Sequence, residues 1–193
     1  MGIEREWKFR ATPQLQEALA ADRAVRDMQT SKTRFAMETT YLDTAEGDFA
    51  VRRWTLRVRK ENGEPVVTLK TPAAGGARGE WEHPGSVPDA GKLLALGAPE
   101  ALETLLRKPL VPTCGARFTR RAILLQLPGG GLAELALDEG VLFRGDRQAP
   151  LCEIELEHKA GEIAETEALA AVLQNRFSLT PERESKHRRA MKL

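Results

Sequence analysis

Apolar and charged residues alternate with a period of two through most of this chain. That is the spacing of β-strands whose two faces meet different surroundings. Ile3-Glu4-Arg5-Glu6-Trp7-Lys8-Phe9 opens the pattern, and Leu151-Cys152-Glu153-Ile154-Glu155-Leu156-Glu157 repeats it near the other end. Strands are predicted over Ile3–Arg10, Thr33–Asp43, Thr55–Arg59, Pro65–Thr71, Arg78–His83, Ala116–Leu127, Leu132–Asp138 and Leu151–His158. Val141–Arg144 continues the seventh past a bend at Gly140. Asn62-Gly63 marks a tight hairpin, Gly129-Gly130-Gly131 another turn, and Pro72–Gly79 a mobile loop. Helical spacing runs over Pro13–Met28, with Thr12 as cap, and over Glu162–Arg176, with acids in its first turns. Asp89–Leu106 is helical but broken at Gly97-Ala98-Pro99, and Pro109 and Pro112 end it. Ala45–Arg53 is a loop or a short helical turn. The class is mainly β (α+β), an antiparallel barrel or sandwich of about eight strands decorated with helices.

The charged parity is unusual. Arg57 and Arg59 alternate with Leu56 and Val58; Lys70 opposes Leu69; Arg78, Glu80 and Glu82 share a face; Glu134 and Asp138 oppose Leu135 and Leu137. For any single strand an apolar core and a solvated charged face suffices. Taken together, the charges form single-sign blocks, with acids at both ends of the chain and bases between. That arrangement favours a barrel with a polar lumen and an outer wall covered by the helices. Acid rows suit hard divalent cations, which prefer carboxylate oxygen.

Composition adds limits. The 193 residues hold 29 basic and 28 acidic side chains, a net charge of +1, which argues against a generic nucleic-acid coat. Cys114 and Cys152 lie far apart with no zinc spacing and read as reduced residues. No apolar run spans a bilayer and no signal segment opens the chain, so a cytoplasmic location without membrane contact is expected. His83, His158 and His187 read as surface or hydrogen-bonding residues. Trp7 and Trp81 belong to the outer wall, and Trp54 to core or edge packing.

Glu4-x-Glu6-x-Lys8 matches the ExExK signature of CYTH domains, the triphosphate tunnel metalloenzymes. Tyr41-Leu42-Asp43-Thr44, Leu56-Arg57-Val58-Arg59, Thr68-Leu69-Lys70 and Arg78-Gly79-Glu80-Trp81-Glu82 resemble further family segments, in family order. Ala136-Leu137-Asp138-Glu139-Gly140, Cys152 to Glu157, and Ser185-Lys186-x-x-Arg189 complete the series. The bacterial inorganic triphosphatase branch is the nearest resemblance. There a CHAD domain often follows; residues 1–193 read as a single CYTH domain with no CHAD-like helical region.

The resemblance implies an eight-stranded antiparallel tunnel and metal-dependent hydrolysis of triphosphate to diphosphate and phosphate. It implies phosphate binding by Lys8, Arg57, Arg59, Lys70, Arg78 and Arg120, with Lys186 and Arg189 closing one end. Glu4, Glu6, Glu153 and Glu155 are the implied ligands of two Mg²⁺ or Mn²⁺ ions. Glu80, Glu82, Glu134, Asp138 and Glu157 are supporting acids. Lys8, Lys70 and Tyr41 are the catalytic candidates, Tyr41 and Lys70 as orienting groups for water or the leaving oxygen. The partner is a small polyanion, and a homodimer is compatible with the pattern. A class IV adenylyl cyclase, a thiamine, nucleoside or RNA triphosphatase, and a non-catalytic polyphosphate- or nucleotide-binding module are the alternatives. Few aromatic residues are available for an organic slot, and both acid rows exceed what a binding module needs.

Overall fold

The structure is a computed structural model that describes residues 2–74 and 78–193, with side chains from Glu4 onward. Its strands are β1 Gly2–Glu4, β2 Glu6–Arg10, β3 Gln29–Thr44, β4 Thr55–Glu61, β5 Glu64–Pro72, β6 Arg78–Pro84, β7 Leu110–Gln126, β8 Leu132–Arg144, β9 Arg147–Ala160 and β10 Thr180–Pro181. All join one sheet in the order β1-β6-β5-β4-β3-β7-β8-β9-β2-β10, with antiparallel pairing throughout. The expected first strand is thus split at Arg5. Its first half pairs with β6, Glu4 opposite Arg78, and its second half with β9, Glu6 opposite Glu157. One short stretch of chain therefore touches both flanks of the sheet and rolls it into a tunnel. No continuous ladder closes the sheet; the covalent chain at Arg5, whose carbonyl accepts from the His158 N–H at 2.9 Å, joins its ends. The expected count of eight matches β2–β9, with two short segments added.

Local chemistry sets the element limits. Asn62 and Gly63 have φ of 53° and 95°, the left-handed pair a two-residue hairpin requires. The helix expected over Pro13–Met28 is two, α1 Pro13–Ala21 and α2 Arg23–Met28. Asp22 interrupts it because its carboxylate accepts from the Ala24 and Val25 N–H groups and caps α2. α3 is Asp48–Val51. The segment Asp89–Leu106 splits into α4 Ala90–Ala95 and α5 Ala101–Leu106 around Gly97, at φ 91°. Pro112 does not stop a helix; it lies inside β7, opposite Leu42 at a bulge. β8 runs on through Gly140 to Arg144, as expected, with its register to β7 unbroken there. A Cβ there would sit 2.2 Å from the Arg117 carbonyl oxygen, so the glycine permits close strand approach. The loop expected over Pro72–Gly79 is shorter, because Pro72 ends β5 and Arg78 begins β6; residues 75–77 lie outside the described residues. α6 is Ile163–Phe177 and α7 is Lys186–Ala190.

The apolar parity faces outward under the helices. Leu19 of α1, Val25 of α2, and Ala170 and Leu173 of α6 pack on Ile123, Leu135, Leu137, Ile154 and Leu156. Leu93 of α4, and Leu102 and Leu105 of α5, pack on Leu56, Val67, Leu69 and Trp81. Trp7 packs against the first cluster, and Trp54 meets Phe49 edge-on with ring centroids 6.4 Å apart in the second. The burial of these side chains frees the opposite parity for charge. Both cysteines are free thiols. Among the described residues no helix is long and apolar enough to cross a membrane.

Candidate functional site

The inward parity encloses a cavity of about 300 Å³. Glu4, Glu6, Lys8, Tyr41, Arg57, Arg59, Lys70, Arg78, Glu80, Glu82, Arg120, Glu134, Glu155, Glu157 and Lys186 all line it. Three expected site residues, Asp138, Glu153 and Arg189, stand behind that lining. Asp138 and Glu153 are 0 % exposed. The expectation that Glu153 faces a metal and Arg189 faces phosphate therefore meets a different geometry. The Arg189 guanidinium pairs with Glu153 through Nη2 and lies 3.8 Å from Glu182 through Nη1.

One wall, formed by β7, β8, β9 and α7, is internally neutralised. The Lys186 ammonium contacts Asp138 Oδ2 at 2.8 Å, Glu155 Oε1 at 2.8 Å, and Glu153. Arg120 grips Asp138 with two bonds, Nε to Oδ1 at 2.8 Å and Nη2 to Oδ2 at 2.7 Å, and reaches Glu155 Oε2 at 2.5 Å. Burial alone would raise the Glu155 carboxyl, but Lys186, Arg120 and Lys8 outweigh it and hold the group well below the usual range. Glu153 is the carboxyl that burial pushes up, to about 7, with the adjacent Glu155 charge adding to the rise. Burial works against the charge on Lys186, yet Asp138, Glu155 and Glu153 lift its pKa above the usual lysine value. From outside the wall, the buried Gln16 amide of α1 donates to the Asp138 and Glu153 carbonyls at 3.0 and 2.9 Å. These two residues are opposite each other on β8 and β9, so Gln16 braces the level at which their side chains enter.

The facing wall, β4, β5 and β6, is looser. Lys70 lies 2.5 Å from Glu4 and 3.1 Å from Glu80. Arg57 lies 3.7 Å from Glu80 and 3.8 Å from Glu82, beyond hydrogen-bond reach. Arg59 pairs with Glu61, and Arg78 donates to Thr55 Oγ1 at 3.2 Å. The Nε–H groups of Arg57, Arg59 and Arg78 are all buried, with no hydrogen-bond partner among the described residues. A buried donor left unmade costs about 1–3 kcal/mol, so three on one cavity wall call for acceptors.

Acids gather where β2, β9 and β8 adjoin. Glu6 is opposite Glu157, and Glu157 is opposite Glu134, one row across three strands. Like charges directly opposed are unfavourable without a counter-ion. Lys8 meets Glu6 at 2.9 Å and Lys159 meets Glu157 at 2.9 Å. The Glu157 carboxyl is still raised, by burial first and by Glu4 and Glu134 as well.

Several lining residues escaped the sequence reading. Phe35, Met37 and Phe118 form an apolar strip with Glu61 opposite Met37, and Lys159 joins the lining beside Glu157. Phe35 and Met37 share strand parity with Tyr41, and Phe118 with Arg120, which is the signal that locates them. His187, expected as a surface or hydrogen-bonding residue, packs against Tyr41 in the cavity lining, with centroids 4.7 Å apart and the rings tilted by 42°. Burial and Arg78 lower its pKa, and burial raises that of Tyr41. His83 accepts from the Asp89 N–H at 3.3 Å, and the His158 ring bonds Thr166 Oγ1 at 3.0 Å, both as hydrogen-bonding residues.

A family model described as CYTH domain matches residues 2–191. The chain is 29% identical over 128 residues to a protein of Haemophilus influenzae named inorganic triphosphatase. That match covers 64% of this chain and 36% of the relative, so the chain spans about a third of the relative's length. In structure it resembles a putative adenylyl cyclase from Hippeastrum, described as having a dominant triphosphatase activity. The TM-score is 0.61 at 19% identity, covering 100% of this chain and 95% of that one. It also resembles a putative adenylate cyclase from Bacillus halodurans, with a TM-score of 0.59 at 20% identity, covering 97% and 96%. At these identities the two structures establish the tunnel fold alone.

Proposed function

The chain belongs to the CYTH domain family, and from that premise we propose that it is a divalent-metal-dependent triphosphatase that cleaves inorganic triphosphate to diphosphate and phosphate. The observation that carries this reading is the set of unpartnered guanidinium N–H groups of Arg57, Arg59 and Arg78 on one wall of the cavity. Guanidinium forks match phosphate oxygens, and a chain of phosphoryl groups supplies the acceptors these donors lack. Lys70 and Lys8, each close to a glutamate, add charge along the same path.

Glu4, Glu6, Glu134 and Glu157 fit hard divalent cations: all are oxygen donors in the lining, and three are forced into one like-charged row. Glu155 reaches the cavity too, but Lys186 and Arg120 already engage both of its oxygens. Two Mg²⁺ or Mn²⁺ ions are the family expectation. Bound there, such ions offset phosphate charge and lower the pKa of a coordinated water. The protein's own share is positioning. Arg57, Arg59 and Arg78 hold the triphosphate along the β4–β6 wall. Water attacks the terminal phosphorus in line and gives up a proton to a phosphate oxygen or to solvent, while the bridging P–O bond breaks and diphosphate leaves with the electron pair. The guanidinium groups meet the charge on the departing oxygen. Tyr41, kept protonated by burial, and Lys70 orient the water or the leaving oxygen by donating hydrogen bonds.

The apolar strip of Phe35, Met37 and Phe118 favours a second reading, an organic triphosphate whose base or ring rests on that strip. The deciding assay incubates the protein with tripolyphosphate, ATP or thiamine triphosphate, each with Mg²⁺ or Mn²⁺. Phosphate, diphosphate and cyclic AMP are measured. Fastest release of phosphate from tripolyphosphate supports the first reading. Preference for an organic substrate moves the function to the second, cyclic AMP as product points to a cyclase, and turnover of none sinks the enzyme reading.

A further inference from the structure

We propose that the open edge of β3 is a docking site for a strand of another protein, an extended peptide with acidic side chains at alternate positions. β3 runs over Gln29–Thr44, and β7 lies beside it along that whole length. On the other side β4 pairs only with Met37–Leu42. Asn62, in the β4–β5 turn, ends that pairing. The Ala36 N–H donates to Asn62 Oδ1 at 2.8 Å, and the Ala36 carbonyl accepts from the Asn62 N–H at 2.9 Å. Residues two apart in a strand send their backbone groups to the same side. The N–H and C=O groups of Arg34 and Lys32 therefore point as those of Ala36 do. No strand meets them there among the described residues, and Thr30–Arg34 are all exposed. Two donors and two acceptors in a row form a template for strand addition.

Charge chooses the occupant. Where β9 overhangs β2, proline blunts the edge. The Cys152 carbonyl accepts from the Ala11 N–H at 3.2 Å, so Pro150, two residues earlier, turns a nitrogen without a hydrogen to the open side. The open segment of β3 has no proline. It carries Lys32 and Arg34, neither of them in an ion pair among the described residues, while nearby Arg121 is taken by Glu17 at 2.6 Å and Lys60 by Glu38 at 3.4 Å. A second copy of this chain fits badly. Antiparallel self-pairing that engages both residues sets Lys32 against Arg34, or one of them against its own copy, and directly opposed like charges destabilise a pair. An acidic residue opposite each cation turns that repulsion into a cross-strand ion pair. The adjoining hairpin carries Glu61 opposite Glu64, so the acidic positions belong at Lys32 and Arg34 and not beside the hairpin.

Docking at this edge is independent of the triphosphatase reading. The probe is a short blocked peptide of threonine and valine with two glutamates at alternate positions. One control replaces the glutamates by lysines, and a second N-methylates the two glutamate amides and so removes the donors that face β3. Binding is followed by NMR of the full chain. The acidic peptide should give saturable shifts at the Lys32 and Arg34 amides with a Kd of about 1 mM or tighter, and slow their hydrogen exchange. Both control peptides should bind more weakly by about tenfold or more. Arg34→Pro deletes one outward N–H without touching the ladder to β7 and should weaken binding of the acidic peptide by a similar factor, about tenfold. Lys32→Glu/Arg34→Glu should reverse the preference in favour of the lysine peptide, and this double variant decides the matter if the proline variant does not fold. No saturable shift at these amides in wild type, or equal binding of the N-methylated peptide, overturns the proposal. A wild-type dimer in sedimentation that Arg34→Pro dissolves overturns it too, because the occupant is then a second copy.

Discussion

Replacing Asp138 by alanine should destabilise the protein more than any exposed charge change. Asp138 is fully buried and accepts two bonds from Arg120, at 2.8 and 2.7 Å, and one contact from Lys186 at 2.8 Å. Its removal leaves two cations with less compensation in a wall that excludes most water. Truncating one partner of a buried ion pair costs about 3–5 kcal/mol. Whole-domain stability is only about 5–15 kcal/mol, so this is a large fraction of it. For a chain of this size each kcal/mol moves the melting temperature by about 2–4 °C, which predicts a fall of about 6–20 °C. The assay is calorimetric or circular-dichroism melting at neutral pH, with Glu38→Ala as control. Glu38 pairs with Lys60 at 3.4 Å, but the two side chains are 53 % and 54 % exposed, so its loss should cost under about 1 kcal/mol. If Asp138→Ala melted within about 2 °C of wild type, the claim that this wall is a closed ionic network would be wrong.

Glu153→Gln tests the pH dependence of stability. A carboxyl raised from 4.5 to about 7 keeps its proton in the folded chain after the unfolded chain has lost it. That group therefore makes stability fall as pH rises between those values, and the glutamine variant should flatten this fall in urea titrations across the window. Gln16→Ala should lose about 1–3 kcal/mol in the same titrations, because two buried carbonyls lose their donor. Gly140→Ala should destabilise by about 1–3 kcal/mol and shift the melting curve, since its new methyl would meet the Arg117 carbonyl oxygen and the Phe118 Cα at 2.2 and 2.5 Å. A Gly140→Ala variant as stable as wild type would show that β7 and β8 separate easily there.

Strand positions were largely legible because period-two alternation survives in one-dimensional form. Glu153, Ile154 and Glu155 announce opposite faces wherever the strand lies. Boundaries were less so. Asp22 looks like one more helical surface residue until its carboxylate turns back to cap α2. Gly140 looks like a bend, and only the approach of β7 shows that it admits a neighbouring backbone. The break at Arg5 was illegible for a similar reason. Nothing in Ile3–Arg10 tells which flank of the sheet each half will join.

Within the site, charge type and parity picked out most of the lining, but not its grouping. A lone histidine in a basic tail carries no periodic signal, so His187 looks like a surface or hydrogen-bonding residue in the sequence. Its place against Tyr41 depends on where α7 lands. Glu153 and Glu155 share a parity and look equivalent in sequence, yet one lines the cavity and the other is sealed behind it. The sequence by itself determined that charges face inward, that acids sit at both chain ends, and that bases lie between them. Tertiary structure alone decided which cations are spent and which are free. Ion pairing depends on distances of a few ångströms between residues far apart in the chain, and alternation carries no information about those distances.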